Sequence, residues 1–355
     1  MKIKRIHTYL KNLALSKPYS IAGHKFVAVE NVFLEIELEN GIVGMGAASP
    51  AEEVVGEACH QTLQNLQSEF VECFVGRDIR HFRQLIFEVQ TQFPNLPGTL
   101  AALDIALHDA FGQYLGIPIV AFYGQKIKAL PTSVTIGIMN VTETLKEAEA
   151  YYKQGFKVLK VKTGEHVEED IERVLKLHER YKKQLTLRVD ANQGYDLMTL
   201  QKFIKAIQNI DLELIEQPLP VGSEKELLAL DEQNRNYLVA DESLKNAKYA
   251  LKLAQKPQPF GIFNIKLMKC GGILNAFEIA NIAQNASIDL FWGCNDESII
   301  SITAALHAAF ACANTKYLDL DGSLDLAEDV VREGFILENG LMKLSGRAGL
   351  GLRIN

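Results

Sequence analysis

Residues 185–218 read LTLRVDANQGYDLMTLQKFIKAIQNIDLELIEQP. An apolar run, Leu185–Val189, ends on Asp190-Ala191-Asn192. A stretch of helical periodicity, Leu197–Gln208, follows, and a second apolar run, Leu212–Ile215, ends on Glu216-Gln217-Pro218. Strand, helix and strand in so short a span imply parallel pairing through a crossover, because parallel neighbours cannot be joined by a tight turn.

The pattern repeats on both sides. Further apolar runs lie at Ser133–Ile138, Val158–Val161, Tyr237–Ala240, Gly261–Ile265, Ile288–Trp292 and Tyr317–Leu320. Helical stretches such as Val141–Gln154, Val167–Lys182 and Ile273–Gln284 separate them. Asp190, Glu216, Asp241 and Lys266 follow one another at intervals of 26, 25 and 25 residues. Eight strands on so even a period favour a closed (β/α) barrel over an open doubly wound sheet.

A barrel of this kind takes about 250 residues, and the chain has 355. The first part of the chain follows a different pattern. Phe26 to Met45 alternates as two strands around a turn at Glu39-Asn40-Gly41. Helices are expected over Glu53–Phe74, Ile79–Phe93 and Pro97–Leu115, the last stopped by Gly116-Ile117-Pro118. Strands followed by segregated helices indicate an α+β domain. The division expected is a capping domain over 1–125, a barrel over 126–322, and a segment 323–355 packing back on the cap.

The composition is that of a globular enzyme, with 48% apolar and 23% charged residues and a formal charge of −7. No block of Lys and Arg points to nucleic acid, and no apolar run is long enough to span a bilayer. Five scattered cysteines without a CxxC pair read as reduced thiols in a cytoplasm. Oligomeric state is left open.

Polar residues at the C-terminal ends of barrel strands face the active site. Asp190, Glu216 and Asp241 end three consecutive strands. A lone acid there reads equally well as a solvated loop start. Three side by side repel one another unless a hard divalent cation such as Mg²⁺ compensates them. Lys160 and Lys162 share one strand face, and Lys266 lies across the mouth, so Lys162 and Lys266 would flank a bound substrate as base and conjugate acid. The charge on Lys160 would favour a neutral amine on Lys162. Asp319 and Asp321 form a further acidic pair suited to a cationic group such as an ammonium.

These residues resemble the enolase superfamily in its muconate-lactonizing subgroup. The resemblance rests on Lys160-x-Lys162, Asp190-Ala-Asn, Glu216-Gln-Pro, Asp241-Glu-Ser, Asn264-Ile-Lys266 and the helix from Ala101 to Ala110 before Gly116-Ile-Pro. Asp319-x-Asp321 resembles the mark of the dipeptide epimerases within that subgroup. The resemblance implies an α/β fold, a (β/α)₇β TIM-like barrel with an N-terminal α+β cap completed by the C-terminal segment. It implies one Mg²⁺ on Asp190, Glu216 and Asp241. It also implies inversion of the α-carbon of the C-terminal residue of an L-Ala-X type dipeptide, with Lys162 and Lys266 exchanging its proton through an ene-diolate. By the same likeness Asp319 and Asp321 hold the substrate ammonium, Lys160 touches its carboxylate, and Thr135 and Cys294 line the pocket.

One departure bears on specificity. Where epimerases of Ala-Glu carry a cap-loop arginine, the loop Lys17–Phe26 places His24. An imidazole is a poorer partner for a carboxylate than a guanidinium, so a small or apolar X is expected, unless the adjacent Lys25 takes the arginine's part. Two other activities use similar residues. A cycloisomerase, o-succinylbenzoate synthase or N-acylamino acid racemase shares the lysines and acids but has no ammonium for Asp319 and Asp321. A Schiff-base aldolase would use a lysine covalently and need no metal.

Overall fold

A computed structural model describes residues 1–16 and 27–355, and of residues 17–21 and 24–26 the backbone alone. The chain begins with an antiparallel sheet of β1 (Ile3–Ile21), β2 (His24–Leu38) and β3 (Val43–Ala48). The expected turn at Glu39-Asn40-Gly41 is present, with Gly41 at φ +84° and Asn40 Oδ1 accepting from Ile42 N. The sequence reading had no strand before Phe26. β1 pairs with β2 over most of its length, and its exposed, polar-rich residues hid it.

The helix Pro97–Leu115 runs between the boundaries read from sequence, with Pro97 in its first turn and Gly116 closing it at φ +72°. It packs so tightly on β3 that a Cβ on Gly46 would sit 2.0 Å from Ala102 O, so glycine is required there. Glu57 satisfies the helix start, accepting from Gly98 N and Thr99 N. That bond explains a difference. The expected helix over Glu53–Phe74 is three short helices, Glu52–Val55, Cys59–Leu66 and Glu69–Glu72. Gly56 ends the first in the left-handed region at φ +73°, which lets Glu57 turn inward.

After β4 (Leu130–Pro131) comes the barrel: β5 (Val134–Ile136), β6 (Val158–Lys162), β7 (Thr186–Asp190), β8 (Leu212–Glu216), β9 (Leu238–Ala240), β10 (Ile262–Ile265), β11 (Asp289–Gly293) and β12 (Thr315–Asp319). All eight lie in chain order and every resolved pairing is parallel. The seam between β12 and β5 is closed by Ser133 N donating to Leu318 O at 3.1 Å and by side chains: Thr132 Oγ1 accepts from Leu320 N, and Asp321 Oδ2 from Thr135 N.

The tail contributes β13 (Val331–Glu333), β14 (Phe335–Glu338), β15 (Leu341–Leu344) and β16 (Leu352–Ile354). β14 and β15 extend β4, and Ala327 N donates to Ala14 O on β1. The long helix joins these parts. Asp104 accepts from Ile273 N and Leu274 N at the start of the barrel helix Ile273–Asn285, and Asp109 from Met45 N and Leu350 N. Among the described residues no helix is long and apolar enough to cross a membrane.

Candidate active site

The register places Lys162, Asp190 and Glu216 in one row across β6, β7 and β8. Asp241 lies just past the end of β9, since Glu216 pairs with Val239. The three acids are between 0 and 2% exposed. Side chains the motifs named only in passing hold them. Asn264 Nδ2 donates to Glu216 Oε1 at 2.5 Å, and Gln217 Oε1 accepts from Asp241 N and Ser243 N, fixing the turn after β9. Glu216 Oε2 and Glu242 Oε2 are buried without a hydrogen-bond partner.

Lys162 donates to Asp190 Oδ2 at 2.7 Å and to Asn192 Oδ1 at 2.8 Å. Lys266, across the barrel, donates to Asp241 Oδ2 at 2.9 Å. Lys160 is deeper and 5% exposed. It pairs with Asp319 and stands 3.6 Å from Glu216 Oε2 and 3.8 Å from Asp190 Oδ2. The charge of Lys160 is thus spent on acids, and the immediate neighbour of Lys162 is a carboxylate. Sequence reasoning had stressed repulsion between the two lysines. Burial opposes the charge on Lys160 and Lys266, but the surrounding acids together outweigh it, Asp319 foremost for the first and Asp241 for the second, so both are held above the ordinary lysine value.

The acids separate by environment. Burial and the neighbouring Asp190 push Glu216 up to about 8. Asp241 is buried too, but Lys266 and Lys269 bring it below the carboxylate range. The Asp319–Asp321 pair is not equivalent either. Asp319 accepts from Ser133 Oγ at 2.6 Å and from Lys160, and Lys160 overcomes burial to hold it low. Asp321 lies beyond β12, receives Thr135 N at 2.8 Å, and is pushed up to about 7 by burial and by Asp319. Cys294 donates to Asp319 O at 3.2 Å and accepts from Gly322 N, so it buttresses the turn carrying Asp321. The side chains of His24 and Lys25 lie outside the described residues.

Six acidic side chains (Asp190, Glu216, Asp241, Glu242, Asp319, Asp321) thus meet four lysines (Lys160, Lys162, Lys266, Lys269), two more acids than lysines. Among the described residues no three His, Cys, Asp or Glu are grouped as metal ligands, and Lys160 stands 3.8 Å from Asp190 and 3.6 Å from Glu216. The donor set nevertheless suits a hard divalent cation: oxygen only, two more acids than lysines, and one Glu216 oxygen that receives no hydrogen bond.

Comparison with known proteins decides the assignment. The mandelate racemase / muconate lactonizing enzyme N-terminal domain matches residues 5–124, and the enolase C-terminal domain-like family matches residues 143–355. The chain belongs to this family. The L-Lys-D/L-Arg epimerase of Desulforapulum autotrophicum is 50% identical over 353 residues, covering 99% of each chain. That of Methylococcus capsulatus is 48% identical, again over 99% of each. A crystal structure of a Methylococcus capsulatus dipeptide epimerase with Mg and L-Arg-D-Lys superposes at TM-score 0.97, with 47% identity and all of both chains covered. The barrel-and-cap architecture expected from the sequence is the architecture of this enolase-superfamily enzyme.

Proposed function

We propose that the chain is a Mg²⁺-dependent dipeptide epimerase that inverts the α-carbon of the C-terminal residue, and that its dipeptides carry cationic side chains. The observation that carries the chemistry is the placement of Lys162 and Lys266 on opposite walls of the barrel, each hydrogen-bonded to a different strand-end acid. One lysine removes the α-proton from one face and the other returns a proton to the opposite face. Asp190, Glu216 and Asp241 would hold Mg²⁺, with Glu242 in reserve beside them. When bound, the cation supplies Lewis-acid stabilisation of the charge that builds on the substrate carboxylate. Lys160 adds positive charge from below. Asp321 is the acid best placed for the substrate ammonium, since Asp319 is already engaged by Lys160 and Ser133. Thr135 and Cys294 hold Asp321 in place.

The cationic preference has support from charge. A cavity of about 370 Å³ is lined by Asp321 and Asp325 together with Ser16, Tyr151, Gln154 and Asn339, and among the described residues no Lys, Arg or His lines it. The Asp321 carboxyl on this wall favours a lysyl or arginyl group over a glutamyl one. The names of the relatives near half identity point the same way. L-Ala-X dipeptides with small or apolar X are placed second, because that preference rested on His24. All five cysteines are free, which supports a cytoplasmic setting.

The test is α-proton exchange in D₂O followed by NMR, with Mg²⁺ present, comparing L-Lys-L-Arg, L-Ala-L-Leu and L-Ala-L-Glu. Inversion should be fastest with the cationic dipeptide. Exchange in none of them defeats the epimerase reading, whereas fastest turnover of L-Ala-L-Leu defeats only the cationic preference.

A further inference from the structure

Lys269 brings a charge into the barrel wall, yet it belongs to none of the strand-end motifs. It stands three residues beyond Lys266, on the short helix Leu267–Cys270, and its side chain is 4% exposed. An ammonium buried this deeply is tolerated only if every donor is used. It finds three acceptors at the ends of two strands: Asp241 Oδ1, Asp241 O at 2.5 Å and Asn264 O at 3.1 Å. The other oxygen of the Asp241 carboxylate, Oδ2, receives Lys266 at 2.9 Å. Among the described residues the two lysines are the hydrogen-bond donors to this carboxylate. Lys269 takes one oxygen and thereby turns the second toward Lys266.

We propose that Lys269 is a positioning residue. It pins Asp241 so that Oδ2 serves Lys266 and the Mg²⁺ site, and it therefore governs the Lys266 half of the reaction and not the Lys162 half. The inference rests on the two-lysine reading above. The asymmetry follows from geometry. Lys162 is oriented by Asp190 and Asn192 and shares no hydrogen-bond partner with Lys269. A lysine needed only for folding would, when lost, depress both halves alike.

The experiment measures α-proton exchange in D₂O separately from the two epimers of one dipeptide, in the wild type and in the Lys266→Ala, Lys269→Met and Lys269→Arg variants. The epimer that loses exchange in Lys266→Ala is the one Lys266 serves. In Lys269→Met, exchange from that epimer falls about ten-fold or more, as expected for a lost charge-assisted hydrogen bond. With Mg²⁺ saturating, exchange from the other epimer falls no more than about two-fold. Mg²⁺ binding without substrate, measured by calorimetry, weakens about ten-fold. Lys269→Arg keeps a buried cation with donors for both acceptor groups and recovers part of each loss. Equal losses from both epimers, or none, overturn the positioning role, as does an unchanged Mg²⁺ affinity. If Lys269→Met does not fold, Lys269→Gln, which keeps a donor without the charge, gives the same comparison. Should neither Lys162→Ala nor Lys266→Ala show epimer-specific loss, the two-lysine reading falls, while the calorimetric arm still judges the hold of Lys269 on Asp241.

Discussion

Substituting Gly293 by alanine should weaken the metal site without touching any of its ligands. Gly293 ends β11 beside Asn264. A Cβ there would lie 2.6 Å from Asn264 Oδ1 and 2.8 Å from Nδ2, closer than real Cβ contacts allow. Asn264 is fully buried and cannot swing into solvent, so its amide must give way. That amide is the hydrogen bond holding Glu216 Oε1, at 2.5 Å. Overpacking of a full core costs about 1–3 kcal/mol, and leaving a buried carboxyl oxygen without its donor about 1–3 kcal/mol. The two overlap, because moving the amide relieves the clash, so the net expectation is about 2–4 kcal/mol of stability. With Glu216 less well aimed, Mg²⁺ affinity should fall about ten-fold. Urea denaturation followed by circular dichroism reads the first quantity and calorimetric Mg²⁺ titration the second. A double-mutant cycle with Asn264→Ala gives the sharper check. Removing the amide makes room for the new methyl, so the two losses should be far from additive. Additive losses, or a single variant with wild-type stability and Mg²⁺ affinity, would refute this account.

Three further outcomes are expected. Lys162→Ala and Lys266→Ala should each lower epimerisation by about 10²–10⁴-fold, the usual worth of a positioned base, while each retains exchange from the epimer served by the other lysine. Mg²⁺ at one hundred times its dissociation constant should stabilise the fold by about 2.7 kcal/mol; EDTA should reverse the gain, and Glu216→Gln should reduce it, with thermal denaturation as the readout. His307 is buried neutral, accepts from Val120 N, and is pushed down to about 3 by desolvation. The unfolded chain takes up that proton first, so stability is intact above pH 6.5 and declines as pH falls from there toward 3. At pH 5 the loss attributable to this group is about 2 kcal/mol, and His307→Gln, which keeps an acceptor for Val120 N, should lack it in paired denaturation curves.

Much of the fold was legible because barrel strands are short apolar runs with one consistent punctuation. The acids and lysines at 162, 190, 216, 241 and 266 stand where a strand stops being apolar, and the structure puts each at the barrel's C-terminal end, with Lys160 two residues deeper on β6. The helix Pro97–Leu115 was equally plain, since its proline and glycine signals coincide with its ends. What sequence hid has physical reasons. β1 leaves many side chains in water, so no apolar run marks it. The break at Gly56 matters because Glu57 must reach Gly98, a partner 41 residues away. Lys269 looks like any helix lysine until the strands bring Asp241 and Asn264 beneath it. The inequality of Asp319 and Asp321 depends on Ser133 and Lys160, which no local spacing joins to them.

Asp104 makes the cap part of the barrel's own helix capping. The start of a barrel helix, with its bare N–H groups and positive dipole end, is a ready socket for phosphate. Here the helix Ile273–Asn285 has that socket filled by a carboxylate from the cap, bonded to Ile273 N and Leu274 N. The plug is covalently tethered, so its local concentration far exceeds that of any free anion, and dissolved phosphate cannot compete for the place. A feature that other proteins use to capture anions serves in this one to dock its own domains.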